Sequence, residues 1–248
     1  MAEPIRLSFV VPAFNEEALL PSCLKSIQAE IARSGVRAEI VVVDNASTDQ
    51  TAAVGRSFTG VTVVAEPRKG LAQARKAGFD ASSGVLVANI DADTLLPPGW
   101  IDRVEAEFAR DRRLVTVSGP YDYYDVPFRM RASARLFYVV GFCTYSVNRF
   151  VLRVGSMVQG GNFVVKRDAL IEAGGFDPSI KFYGEDTDIA RRMAKIGAVK
   201  FTWKLMAKSS GRRLKGDGLL MTGFRYSCNY LSTTFWGKPF TSSWQDYR

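Results

Sequence analysis

Val87-Ala88-Asn89-Ile90-Asp91-Ala92-Asp93-Thr94 is an apolar run ending in two carboxylates one residue apart, and Leu96-Pro97-Pro98-Gly99 breaks the chain directly after it. This pattern predicts a buried strand over Val85 to Ile90 with both acids at its carboxyl end. Open α/β sheets take ligands in the crevice outside those ends. Two acids there can hold a hard divalent cation, which in turn neutralises a diphosphate. Asp also caps turns, and Asp-x-Asp recurs by chance, so the rest of the chain has to decide between the two readings.

Upstream, the same unit repeats. Leu7 to Pro12 reads as a buried strand, and Asn15-Glu16-Glu17 opens a helix reaching to about Ser34, with Gly35 as its stop. Glu39 to Val43 is a second strand, and the capping residues of Asp44-Asn45-Ala46-Ser47-Thr48-Asp49 open another helix. Val61 to Ala65 is a strand and Gly70 to Asp80 a helix; Trp100 to Arg110 and Leu114 to Ser118 continue the alternation. Such alternation predicts an α/β fold with a mostly parallel, doubly wound sheet flanked by helices. Three strands then deliver Asn15 and Glu16, Asp44 and Asn45, and Asp91 and Asp93 to one crevice.

Composition narrows the chemistry. The 248 residues carry a formal net charge of +8 and no histidine. Histidine-based nucleophile systems, histidine bases and histidine-ligated zinc are thereby excluded, leaving carboxylates and a metal. The positive charge favours anionic partners. Cys23, Cys143 and Cys228 are few and scattered, which argues against a disulfide framework and for a reducing compartment. The N-terminal residues lack a signal-peptide layout, and the longest apolar run, Leu136 to Leu152, is interrupted by Asn148 and Arg149. The expectation is a cytoplasmic protein without a spanning helix. Neither Gly-x-Gly-x-x-Gly nor a P-loop motif is present, so a diphosphate would be held by metal and by cations, with Lys69 and Arg75 as candidates and Lys76 a solvated helix residue. The basic residues are scattered and no nucleic-acid motif occurs.

Beyond residue 118 the character changes. Pro127 to Val154 carries Arg129, Arg131, Arg135, Arg149 and Arg153 around aromatics such as Phe137, Tyr138, Phe142, Tyr145 and Phe150. It reads either as a core helix with arginines on its wet side or as a helix in an anionic membrane interface. A similar mixture recurs in Arg212-Arg213-Leu214-Lys215, Leu219 to Phe224 and Phe235-Trp236. Between these segments, Gly160-Gly161 allows backbone to approach a ligand closely, and Asp168 is placed to cap a helix ending at Gly174-Gly175. Phe182-Tyr183-Gly184-Glu185-Asp186-Thr187-Asp188 opens a further helix, where acids suit the macrodipole. Asp186, next but one to a glycine, is the candidate general base and Glu185 its rival.

Together these motifs resemble the inverting family-two glycosyltransferases, whose catalytic domain has the type A nucleotide-sugar-binding fold. The matching segments are Val11 to Glu17, Val43 to Asp49, Lys69-Gly70 with Ala74-Arg75, Asp91-Ala92-Asp93, Gly160-Gly161-Asn162 and Gly184 to Asp188. The resemblance implies a nucleotide-sugar site at Pro12, Ala13, Asn15, Glu16, Asp44, Asn45, Lys69, Arg75, Asp91, Ala92 and Asp93. It implies Asp93, with Asp91, as holder of Mn2+ or Mg2+. Gly160, Gly161 and Asn162 would border the donor sugar or acceptor, and Asp186 would be the base. Some members complete the metal shell with a later histidine, which this chain lacks; Arg212 and Arg213 are candidates to neutralise the diphosphate instead. The expected partners are a UDP- or GDP-type sugar, a lipid or glycan acceptor and an anionic inner membrane face, with no nucleic acid. The domain layout expected is a catalytic body over 1–210, its nucleotide-sugar half about 1–95 and its acceptor half about 96–210, with a basic and aromatic extension over 211–248. An inactive nucleotide-binding scaffold is the alternative function.

Overall fold

The computed structural model describes residues 4–152, 157–180, 184–238 and 240–241. Arg153 and Val154, Phe182 and Tyr183, residues 242–248, and the side chains of Asn148, Phe150, Leu219 and Leu220 lie outside the described residues.

Seven strands form the central sheet: β1 (Leu7–Ala13), β2 (Ala38–Asp44), β3 (Val61–Ala65), β4 (Leu86–Ile90), β5 (Leu114–Ser118), β7 (Asn162–Lys166) and β8 (Ala198–Phe201), in the order β3-β2-β1-β4-β7-β5-β8. All neighbours run parallel except β7, which lies antiparallel between β4 and β5. A separate parallel pair, β6 (Tyr121–Tyr123) and β9 (Ala207–Ser209), sits beyond its edge in sequence. The helices are α1 (Leu20–Ser34), α2 (Thr51–Arg56), α3 (Leu71–Asp80), α4 (Trp100–Arg110), α5 (Phe128–Ser146), α6 (Arg167–Glu172), α7 (Glu185–Met193), α8 (Arg212–Asp217) and α9 (Leu219–Trp236). Residues 147–152 extend α5 as a π-helical turn.

Strand pleating divides the core in two. Leu7, Phe9 and Val11 of β1, with Ile40 and Val42 of β2, pack on one face against Leu24, Ile27, Trp100 and Val104 of α1 and α4. Val10, Val41, Val43 and Val87 point the other way, among Ala74, Phe79, Leu170, Ile189 and Met193 of α3, α6 and α7. Both faces are therefore covered, as in a doubly wound sheet. The free cysteines agree with the absence of a disulfide framework.

Several boundaries differ from the sequence reading. The first helix begins at Leu20, with Pro21 in its first turn, because Asn15 adopts φ 50° and its carbonyl oxygen Oδ1 accepts a hydrogen bond from the Thr48 amide at 2.9 Å. The second starts at Thr51; Gln50 precedes it without a side-chain cap, while Asp49 Oδ1 accepts from the Thr51 amide at 2.9 Å. Asp168 lies in the first turn of α6 rather than capping it; Lys166 precedes the helix. Residues 162–166, to which the sequence reading assigned no element, form the central strand β7.

Helix α3 is seated tightly. A Cβ on Gly78 would meet Val10 Cγ1 at 2.3 Å and Val43 Cγ2 at 2.9 Å. Gly78→Ala is expected to cost about 1–3 kcal/mol through overpacking, whereas an alanine at solvent-facing Lys76 is expected to cost well under 1 kcal/mol; urea denaturation of the two variants measures the contrast.

Candidate active site

The carboxyl ends of β2, β1 and β4 lie side by side, with Ala13 paired to Asp44. The loops after β1 and β2 are laced together: Asn15 N donates to Ser47 Oγ at 3.0 Å, Glu16 N to Thr51 Oγ1 at 2.7 Å and Gln50 N to Glu17 Oε2 at 2.8 Å. Next to them opens a cleft of about 460 Å³, whose walls include Pro12, Glu16, Asp91, Ala92, Asp93 and Asp186. Carboxylates separated by almost a hundred residues in sequence thus face one space.

Arg75 organises one side of it. Its side chain is fully buried, pairs with Glu185, and donates to Asp91 Oδ1 at 3.3 Å and the Gly160 carbonyl at 3.1 Å. It also lies over the Phe163 ring. Tyr121 OH donates to Asp91 Oδ2 at 3.3 Å, so both oxygens of that carboxylate are oriented. Glycine at 161 is required, since a Cβ there would lie 2.0 Å from Asp91 Cγ. Burial pushes the Glu185 carboxyl up to about 7, against the pull of Arg75 and with Asp186 adding to the rise. Asp186 is only half-buried. Its Oδ1 accepts from the Thr187 amide at 2.7 Å, and its Oδ2 would lie 3.2 Å from a Cβ on Gly160. Burial raises its carboxyl too, opposed chiefly by Arg75. Of the two candidate bases, Glu185 is occupied as the partner of Arg75 and Asp186 is presented to the cleft.

Asp93 marks the other side. Ser209 donates to its Oδ1 at 3.2 Å and Arg212 to its Oδ2 at 3.1 Å, and Arg212 also pairs with Glu16. Burial pushes the Asp93 carboxyl up to about 6; Arg212 opposes that rise, and Asp91 and Glu16 add to it. The Arg212 segment is moored by Asp125, which accepts from Gly211 N at 2.6 Å and Ser210 Oγ at 2.8 Å. Among the described residues no three acids or cysteines form a ready-made metal cage. Asp93 and Asp91 nevertheless fit a hard divalent cation that draws its remaining ligands from diphosphate and water, because they offer oxygen donors in surroundings short of positive charge.

Other expected residues occupy different places. Asn162 turns inward: its amide accepts from Trp100 Nε1 at 3.1 Å and donates to the carbonyls of Gly119 at 3.1 Å and Leu205 at 2.7 Å, so it braces the sheet and does not border a sugar. Asn45 holds the 66–70 loop through the carbonyls of Glu66 and Arg68 and the amide of Gly70. Ala13, Asn15, Asp44 and Lys69 stand outside the cleft walls, Lys69 over the Phe14 ring at 3.7 Å. Arg75 lines the cleft but is taken up by Glu185, Asp91 and the Gly160 carbonyl, and Arg213 pairs with the Tyr226 hydroxyl. Tyr121, Gln159 and Ser209 also line the cleft and escaped the sequence reading. Only the dense run Tyr121-Asp122-Tyr123-Tyr124 signalled any of them.

Folded carboxyls near 6 and 7, against about 4 in an unfolded chain, bind more protons in the native state across that window. Their contribution to stability is full below about pH 4 and is lost as pH rises through 6 to 7. Carboxylates held low, such as Glu66 beside Arg68, act in the opposite sense only at lower pH. The ligand-free protein is expected to melt several degrees higher at pH 5 than at pH 8, and Asp93→Asn to raise the pH 8 value; calorimetry at both pH values checks this.

Comparison with known proteins agrees with this fold. An uncharacterized glycosyltransferase of Mycobacterium tuberculosis is 42% identical over 110 residues, covering 44% of this chain and 47% of its own. The undecaprenyl-phosphate 4-deoxy-4-formamido-L-arabinose transferase of Pseudomonas aeruginosa is 40% identical over 108 residues, covering 41% and 32%. The chain therefore spans about half or less of the length of these curated relatives. In fold, it superposes with a TM-score of 0.71 on a Pyrobaculum calidifontis mannosyltransferase solved with GDP-Man and Mn2+, at 22% identity over 96% of this chain and 64% of that one. The M. tuberculosis glucosyl-3-phosphoglycerate synthase with Mn2+, UDP and phosphoglyceric acid gives 0.61, at 21% identity over 92% and 76%. Residues 8–174 match the model of Glycosyl transferase family 2, so the type A fold and the cleft described above are those of a chain that belongs to that family.

Proposed function

We propose that this chain moves a sugar from a UDP- or GDP-type nucleotide sugar to an acceptor hydroxyl, with inversion at the anomeric carbon. The observation that carries the reading is the meeting of Asp93 and Asp186 in one cleft, with the Arg75-bridged pair Asp91 and Glu185 beside them. Asp93, with Asp91, would hold Mn2+ or Mg2+, which supplies positive charge for the departing diphosphate. Asp186 takes the proton of the acceptor hydroxyl as that oxygen attacks the anomeric carbon; the bond to the diphosphate breaks with its electron pair, and no covalent enzyme intermediate forms. Desolvation raises the Asp186 carboxyl, the direction that makes its carboxylate a stronger base. Arg212, mobile enough as a long side chain to leave Asp93, would turn to the diphosphate oxygens.

The acceptor in this reading is a lipid or lipid-linked glycan at the inner membrane face. The basic aromatic segments, the +8 charge and the lipid phosphate named for the Pseudomonas relative support it. No helix among the described residues is long and apolar enough to cross a membrane.

UDP or GDP with Mn2+ is expected to raise the melting temperature, as about 2.7 kcal/mol of stabilisation at a hundredfold excess over Kd. Asp186→Asn should retain that shift and lose transfer by at least 10²-fold; Asp93→Ala should lose both. A chain that binds neither nucleotide and turns over no sugar nucleotide would be a scaffold instead. Sedimentation with anionic and neutral liposomes tests the acceptor clause, with binding expected to the anionic ones and weakened by salt.

A further inference from the structure

Among the described residues, all the exposed large hydrophobic side chains but Val85 and Ile171 lie on residues 128–151 or 221–240. The segments that the sequence left between core and membrane thus keep much of their apolar surface outside the core. Leu136 is 65% exposed, Phe224 64% and Trp236 74%. A monomeric globular protein seldom leaves so many large apolar groups clustered without a use.

The two helices also line the cleft. From α5, Ala134, Phe137, Gly141 and Thr144 recur at three- to four-residue spacing along one wall; from α9, Gly223, Tyr226 and Tyr230 do the same. They meet closely at one point, where a Cβ on Gly223 would lie 3.3 Å from Phe137 Cε2. Val140 and Leu231 line the cleft and are 57% and 44% exposed, so this end opens to the surface. The cleft therefore grades from Asp91, Asp93 and Asp186, past the Arg213–Tyr226 pair, to an apolar mouth.

We infer that the groove between α5 and α9 binds the hydrocarbon chain of a lipid acceptor, placing its polar head at Asp186. This rests on the transferase reading and deepens it. The α5 wall offers an apolar chain Ala134, Phe137, Val140 and Gly141, while hydroxyls such as those of Thr144, Tyr226 and Tyr230 lie along the same cleft. The groove is continuous with the reacting end, which a chain one hydrocarbon wide can follow and a folded partner cannot. Exposed Arg129 lies in the first turn of α5 and exposed Lys238 just after α9, as suits a face resting on anionic headgroups; Arg135 and Lys215 nearby pair with Asp122 and Asp125. The same apolar surface lets the tail pass from bilayer to groove without crossing water.

The test uses the full chain and a dansyl-labelled hexadecyl alcohol below its micelle concentration, competed with unlabelled hexadecanol and octanol. Val140→Asp and Leu231→Asp replace exposed residues, so folding is retained; Ile171→Asp, an exposed apolar residue outside the groove, is the control. Nucleotide binding is measured on the same samples. Hexadecanol is expected to compete at least tenfold better than octanol. Each groove variant should weaken the probe at least tenfold with the UDP– or GDP–Mn2+ melting shift intact, and Ile171→Asp should change nothing. Equal competition by the two alcohols, or probe affinity unchanged in both groove variants, overturns the inference while an intact nucleotide shift leaves the transferase reading standing. A dimer in sedimentation that both groove variants convert to monomer also overturns it, since the face then belongs to a second copy. Groove-dependent capture of the probe by a chain that binds no nucleotide supports the groove and removes the transferase reading.

Discussion

Electrostatic repulsion among carboxylates governs this molecule. Glu16, Asp91, Asp93, Glu185 and Asp186 converge at one end of the sheet. Two like charges ~4 Å apart at an effective dielectric of ~20 repel by about 4 kcal/mol, so five acids without compensation would not stay together. Arg75 and Arg212 make the arrangement tenable, each bridging two acids from different parts of the chain. Arg75 joins β4 to α7, and Arg212 joins the β1 loop to the residues after β4. Their guanidinium groups are forked and always charged, so each can serve two carboxylates at once. A buried pair of this kind is a poor source of net stability, because desolvation consumes most of the attraction. Its consequence is geometric: the acids are held in fixed relation to one another.

The compensation is incomplete, and the deficit has a direction. Asp93 keeps a raised carboxyl even with Arg212 against it, chiefly through burial, with Asp91 and Glu16 adding to the rise. Arg212 reaches Asp93 from a segment after β9, tied by Asp125 and by the Leu95–Lys208 bridge next to the acid. A guanidinium on such a tether holds the position electrically and gives it up at the cost of two hydrogen bonds. Asp91 is different. With Arg75 and Tyr121 on its two oxygens, and with Gly161 pressed against its carboxyl carbon, it has little freedom to rearrange. The site combines one locked acid with one exchangeable acid.

Much of this was legible in the sequence because it depends on local pattern. Apolar runs closed by acids or proline gave β1, β2 and β4, and the glycine pair at 160–161 marked a close backbone approach, which proves to be against Asp91. The roles of asparagine were illegible, since an amide reads the same whether it faces a ligand or braces a loop; Asn45 and Asn162 do the latter. The antiparallel β7 is no shorter than β3, β4 or β5; the glycines before it drew the reading to a close backbone approach instead. Arg75 was read as a ligand cation because nothing in Ala74-Arg75-Lys76 tells that one of two adjacent basic residues points into the core.

The two walls of the cleft are built by different means, and the difference bears on what each can bind. Behind Pro12 and Glu16 on one wall, backbone amides and short side chains from the loops after β1 and β2 lock one another, as Asn15, Ser47, Thr48 and Thr51 do. That support leaves the wall little freedom to change shape. The opposite wall comes from α5 and α9, where long aromatic and aliphatic side chains meet at a single glycine and leave their outer faces in solvent. Side chains of that sort repack around a flexible apolar chain at little cost, whereas they cannot satisfy a polar ligand. The family match ends at residue 174, so α9 and the Arg212 segment lie beyond it. The wall opposite the loops thus joins a helix inside the match, α5, to one outside it, α9.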